Sequence, residues 1–158
     1  MVKLVTGNLF EAKVEALVNP VNTVGVMGKG LALAFKKAFP ANTKAYEAAC
    51  RRRELAIGKV LVFEIGEAAL PRYILNFPSK AHWRDPSKLE YIEAGMKDLV
   101  RVLAQREIRS VAIPALGAGL GGLDWKVVRP IVMAPLARLP NVEALVFEPT
   151  PPPPTHSR

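Results

Sequence analysis

The chain has 158 residues, half of them hydrophobic, with 22 Lys and Arg against 14 Asp and Glu for a formal net charge of +8. This is the length of one domain with enough apolar material for a packed core. The single cysteine excludes an internal disulfide and fits a reducing cytoplasm, no apolar run reaches the roughly 18 residues needed to cross a bilayer, and the basic balance favours a polyanionic partner, nucleic acid above all.

Met1-Val-Lys-Leu-Val-Thr opens directly as a strand over Val2–Val5, without a signal-peptide pattern. A second strand over 16–18 ends at Asn19-Pro20, and Asn19-Pro-Val-Asn22 runs into Gly25-Val-Met-Gly28-Lys29-Gly30. A helix is predicted over 31–39, with Leu31, Phe35, Ala38 and Phe39 inward and Pro40 as its stop. Asn42 or Thr43 caps a further helix running to about Arg53; its Lys44, Arg51, Arg52 and Arg53 give a basic end, and its Cys50 reads as a packing residue. Strands follow over 59–65 and 72–77, separated by a turn at Gly66 and Pro71. Pro86-Ser87 opens a long helix to about Arg106, with Ser87 and Glu90 spaced as a capping box. Ile92, Met96, Leu99, Val100 and Leu103 make its buried stripe. A strand at Ser110–Ile113 leads into Pro114-Ala-Leu-Gly117-Ala-Gly119-Leu-Gly121-Gly122. A helix over 125–139, with Pro130 and Pro135 counting against its continuity, and a strand over 142–147 complete the pattern. Strands alternating with helices imply an α/β layered sheet. The domain is expected over 1–148, and the proline-rich residues 149–158 are expected to be an extended linker towards a further domain.

Both glycine-rich stretches read as a strand end, a loop and a helix start, which aims backbone N–H groups and a positive helix end at an anion. Two such loops in one domain imply a diphosphate held between them. The first is no Walker A loop: only two residues separate Gly25 from Gly28-Lys29, and Gly30 follows the lysine. Lys29 either reaches a phosphate or is a solvated charge. The second matches G-x-G-x-x-G at Gly117, Gly119 and Gly122, but lies too late in the chain for a dinucleotide-binding Rossmann unit. Asn19 and Asn22 either close Asx turns or offer amides to ribose hydroxyls. No His, Cys or carboxylate spacing suggests a metal or cofactor.

Thr6-Gly7-Asn8-Leu9, Asn19-Pro-Val-Asn22, the Gly28-Lys-Gly30 loop and Pro114-Ala-Leu-Gly-Ala-Gly119, in this order, resemble the motifs of macrodomains, the ADP-ribose-binding modules. The resemblance implies a mixed central β-sheet sandwiched between helices. It implies ADP-ribose contacts from Asn8, Leu9, Asn19, Asn22, Val26, Met27, Gly28, Lys29, Gly30 and Leu31, and from Gly117, Ala118, Gly119, Leu120, Gly121 and Gly122, with Asn22 orienting the distal ribose. Asn8 stands where many macrodomains carry an aspartate for the adenine amino group, so that contact is altered or passes to backbone.

Asn76-Phe-Pro-Ser-Lys80 and Gly121-Gly-Leu-Asp124-Trp are similar to the DarG-like branch, DNA ADP-ribosyl glycohydrolases that act as antitoxins. That branch implies hydrolysis of ADP-ribosylated thymidine in single-stranded DNA and a cognate DarT-like toxin as partner, engaged mainly through a further C-terminal domain. By composition alone Lys80 is a solvated loop lysine. The resemblance makes it a nucleophile whose neutral amine attacks C1″ and forms a Schiff base, with Phe77, Pro78 and Trp83 as apolar walls and Lys29 or Arg84 as neighbouring charge. Asp124 serves as acid or base beside it, or caps the following helix. His82, Trp83 and Arg84 pair aromatic and cationic groups suited to a base and its phosphate, against a structural role for the tryptophan. Two other functions stay open: a non-catalytic ADP-ribose reader, which has no need of Lys80, and a hydrolase of ADP-ribosyl-glutamate on proteins.

Overall fold

Apolar and β-branched runs form six strands in the computed structural model, which describes residues 1–149: β1 (Val2–Val5), β2 (Ala16–Asn22), β3 (Leu61–Glu64), β4 (Tyr73–Lys80), β5 (Ser110–Ile113) and β6 (Glu143–Phe147). The linker expected at 149–158 lies, beyond Pro149, outside the described residues. The sheet order is β1-β6-β5-β2-β4-β3. Every neighbouring pair is parallel except β3–β4, so the sheet is mixed, as expected.

Period-two alternation sends successive residues of β2 and β4 to opposite faces. Ala16, Val18, Leu75 and Phe77 join the core under α3 (Leu89–Gln105) and α4 (Trp125–Ala137), while Leu17 and Ile74 join Phe35 of α1 (Gly30–Ala38) on the other face. A smaller cluster of Val21, Met27 and Leu55 surrounds Tyr46 of α2 (Pro40–Arg51). The sheet is thus covered on both sides, except at its edge strands β1 and β3, whose residues are partly buried or exposed. No helix among the described residues is long and apolar enough to cross a membrane.

Several local expectations give way to tertiary context. β2 runs on through Pro20 to Asn22, and β4 through Pro78 to Lys80. Registered pairing of β2 with β5 covers only Ala16 and Leu17, and that of β4 with β3 ends at Asn76. Past those points β2 and β4 have only each other, so each proline sits in an edge-like stretch where a missing donor is tolerated. Pro40 starts α2 instead of merely stopping α1, the first-turn place proline favours. Asn42 and Thr43, expected as caps, are buried inside α2, and Ala38, expected inward, is exposed. The Ser87 capping box does not form; its hydroxyl donates to Ser79 O at 2.5 Å, and α3 starts at Leu89 with no side-chain cap. Val102 replaces the partly exposed Val100 in the buried stripe of α3. α4 is continuous through Pro130 and Pro135 because Val128, Val132 and Leu136, one turn apart, are held in the core.

Candidate active site

Because β1, β6, β5, β2 and β4 are mutually parallel, their C-terminal ends emerge along one edge of the sheet. A cleft of about 1210 Å³ opens there. From the β1 end to the β4 end it crosses four strand spacings, about 19 Å, so it suits a long, narrow ligand.

The first wall is the loop after β2. Asn22 organises it: its Oδ1 accepts from the backbone N–H of Val24 and Gly25 at 3.1 Å and of Val26 at 3.3 Å, while its Nδ2 donates to Val26 O at 2.7 Å. The Tyr46 hydroxyl adds a contact of 2.7 Å to Asn22 O and 2.9 Å to Oδ1. Burial, then the neighbouring Cys50, pushes the Tyr46 phenol well above its ordinary value, so it stays protonated as a donor. Burial likewise raises the Cys50 thiol, which packs beneath Gly25, as its reading as a packing residue requires. The turn-forming role of Asn22 is therefore the one on display, at a position that still lines the cleft. The loop then delivers Lys29 and the first turn of α1, which begins at Gly30 (φ +60°) without a side-chain cap, into the cleft. An uncapped helix start of this kind receives an anion well.

The second wall is the loop after β5. It folds on itself through Ala118 N–H to Ala115 O at 3.1 Å, Gly122 N–H to Gly119 O at 3.2 Å and Leu123 N–H to Gly117 O at 2.9 Å. Gly121 admits no side chain, because a Cβ there would meet the Gly117 carbonyl and lie 2.7 Å from Ser87 Oγ. This loop does not feed a helix start into the cleft, contrary to expectation. α4 begins only at Trp125, and Asp124 caps it, Oδ1 accepting from Lys126 N–H at 3.0 Å. Asp124 does not line the cleft; of its two expected roles the structure displays the helix cap. Leu120 reaches across to the first loop, its Cδ1 lying 3.1 Å from where a Gly30 Cβ would be.

The third wall is the end of β4 and the segment after it. Lys80 is the last residue of that strand, partly buried and in register with Asn22, so it is held by the sheet and is not the loop lysine the sequence suggested. The next residues are pinned at both ends. Thr23 Oγ1 donates to Ala81 O at 2.7 Å, while Ser87 N–H donates to Gly121 O at 3.0 Å. Between the pins Trp83 stands 42% exposed, with the Arg84 guanidinium 4.6 Å from its ring centre and the His82 ring at 5.4 Å.

Asn8, Leu9, Asn22, Val26, Gly28, Lys29, Gly30, Leu31, Lys80, Trp83, Arg84, Gly117, Gly119, Leu120 and Gly121 therefore share one cleft. Asn8 also uses its Oδ1 to accept from Phe10 N–H at 2.9 Å. Met27, Ala118, Gly122 and His82 do not line the cleft. Asn19 is fully buried beneath it, donating to Asn76 Oδ1 at 3.1 Å, where it cannot touch a ligand without unfolding that layer. Phe147 and Glu148, missed from sequence, line the cleft beside Thr6 and Gly7; only the pairing of Val5 with Phe147 brings them there. Lys29, Lys80 and Arg84 are its cations, and Glu148, at the opposite end from Lys80, is its one carboxylate among the described residues.

A model of the Macro domain family matches residues 18–132. The chain is 54% identical over 157 residues to a Thermus aquaticus protein named DNA ADP-ribosyl glycohydrolase, covering 99% of this chain and 44% of that protein. The structure named as the macrodomain of Thermus aquaticus DarG superposes with a TM-score of 0.92 at 55% identity, covering 94% of this chain and 99% of that one. Thermosipho africanus DarTG in complex with ADP-ribose superposes with a TM-score of 0.87 at 35% identity, covering 97% of this chain and 43% of that one. The chain thus spans less than half the length of the full-length curated relative.

Proposed function

The chain belongs to the Macro domain family, and on that premise we propose that it cleaves the N-glycosidic bond joining ADP-ribose to thymidine in single-stranded DNA. The observation that carries the reading is the position of Lys80: a partly buried lysine at the end of β4, its Cα paired with that of Asn22, lining a cleft bounded by two glycine-rich loops. The name of the Thermus relative supports the reaction, and the ADP-ribose complex of the Thermosipho structure supports the ligand.

In this reading the diphosphate lies between the uncapped start of α1 and the loop carrying Gly119, where backbone N–H groups and Lys29 meet its charge. The adenosine lies towards Thr6, Asn8 and Phe147, and the distal ribose lies against Asn22 and Lys80. The nitrogen lone pair of Lys80 adds to C1″ of the ribose. The bond from C1″ to the base breaks, and the thymidine leaves with a proton in place of the sugar; the ring bond from C1″ to O4″ then opens, O4″ taking a proton from the nitrogen, which leaves a C1″=N Schiff base. Water then hydrolyses the resulting Schiff base, returning the amine and releasing ADP-ribose. A DarT-like toxin is part of the same proposal as the partner, since the Thermosipho structure carries the name DarTG.

The test is to incubate the chain with an ADP-ribosylated oligonucleotide and with an ADP-ribosylated glutamyl peptide and to weigh the products by mass spectrometry. Release from the oligonucleotide is expected. Release from the peptide alone moves the assignment to protein substrates, and binding without release from either makes the domain a reader.

A further inference from the structure

ADP-ribose filling the cleft would end at Lys80, so whatever is joined to C1″ must leave past the segment between Ala81 and Ser87. That segment is tethered at both ends: Thr23 holds its start and Ser87 holds its end to Gly121 and to Ser79 O. Between those pins the chain presents Trp83, a large aromatic ring 42% exposed at the rim. No core cluster claims it. The Arg84 guanidinium lies 4.6 Å from its ring centre and turns an exposed apolar face into a cationic one. Just beyond, Lys88 Nζ lies 5.7 Å from the Tyr91 ring, a second pairing of the same kind. Asp85 and Glu90 lie in the same stretch, so the positive charge is local to these pairs and not a general feature of the rim.

Resting on the proposed function, we propose that Trp83 is the seat of a nucleobase adjacent to the modified thymidine, with Arg84 at the phosphate joining the two nucleosides. The thymine that leaves must sit within bonding reach of Lys80, which is partly buried. Trp83 lies three residues further on and is nearly half exposed, where the next unit of the strand passes. A flat ring beside a guanidinium accepts any base by stacking and reads no sequence. The protein therefore recognises a neighbouring nucleotide as well as the ADP-ribose, and works better on a strand than on a lone modified nucleoside.

The experiment compares kcat/KM of the chain for three substrates: ADP-ribosylated thymidine alone, an oligonucleotide carrying it, and the same oligonucleotide with abasic residues on both sides of it. The intact oligonucleotide is expected to exceed the abasic-flanked one by roughly 5- to 150-fold, the range of one base–aromatic stack. In Trp83→Ala that ratio should collapse towards one, and Trp83→Phe should restore part of it. Equal rates on all three substrates, or a ratio that survives in Trp83→Ala, overturn the base seat while leaving the hydrolase reading intact. Absence of cleavage from every substrate overturns the hydrolase reading and the seat with it.

Discussion

Lys80 has its place because the pairing of β2 with β4 slips by one residue at their ends: Val21 pairs with Pro78, Ser79 is passed over, and the Lys80 Cα comes opposite that of Asn22. The amine is expected to do chemistry without holding the diphosphate, so Lys80→Ala should reduce turnover by several orders of magnitude while ADP-ribose affinity stays close to wild type. Single-turnover kinetics beside calorimetry would check both halves, and near-normal turnover would return Lys80 to a solvated charge. Gly119 poses a different question. Its φ is not left-handed and a Cβ would meet nothing within 4 Å, so nothing in the fold demands glycine there. What remains is the cleft it lines. Gly119→Glu should fold within about 0.5 kcal/mol of wild type yet weaken ADP-ribose by about tenfold or more, as a carboxylate meets a diphosphate. Calorimetry on the folded variant decides it, and unchanged affinity removes this loop from the diphosphate. The glycines were visible in the sequence, but their two purposes were not: Gly121 is needed by the Gly117 carbonyl and Ser87, whereas Gly119 has room around it.

α2 is the element that fastens β2 and β4 from behind. Asn42 exchanges two hydrogen bonds with Asn76 of β4, at 3.1 and 2.8 Å, while Tyr46 holds Asn22 of β2. Asn76 is fully buried, so Asn42→Ala takes one partner from each of its amide atoms, leaving Asn19 Nδ2 at Oδ1 and Leu61 O at Nδ2. The expected cost is about 2–3 kcal/mol, read as a lower urea midpoint at an unchanged m-value; a loss under 0.5 kcal/mol would mean that water takes over the vacated bonds. None of this was legible in the sequence. Asn42 looked like a helix cap because local propensity favours asparagine there, and its true partner lies 34 residues away. Strand ends were misjudged for a related reason. Pro20 and Pro78 argue locally against a central strand, and only the sheet order reveals that each stands where one neighbour has already been lost. By contrast β1 and β5 match their expected ranges, since short apolar runs bounded by polar or turn residues carry their own signal. The glycine loops and Lys80 were likewise marked by motif, whereas Phe147 and Glu148 needed the chain's two ends to pair.

For the molecule as a whole, the +8 charge matters less than where it falls along the cleft. Lys80 and Arg84 line the cleft on the β4 side, Lys29 lines it at the start of α1, and Glu148 stands at the other end. A strand bound at the cationic end should lose affinity with salt, log K falling by about 0.7 per neutralised phosphate for each decade of salt. Free ADP-ribose, with only its own diphosphate, should give a much shallower slope. Equal slopes for the two ligands would mean that no strand phosphate touches this surface. The contact of Leu120 with Gly30 has a consequence of its own. It brings the loop after β5 towards the loop after β2 at a point where both line the cleft, so the spacing of the two walls there depends on one largely exposed side chain. Shortening Leu120 to alanine should widen that approach and speed the association and the dissociation of ADP-ribose together, leaving the dissociation constant nearly where it was. Stopped-flow binding checks this, and unchanged rates would mean that the side chain does not stand in the ligand's way.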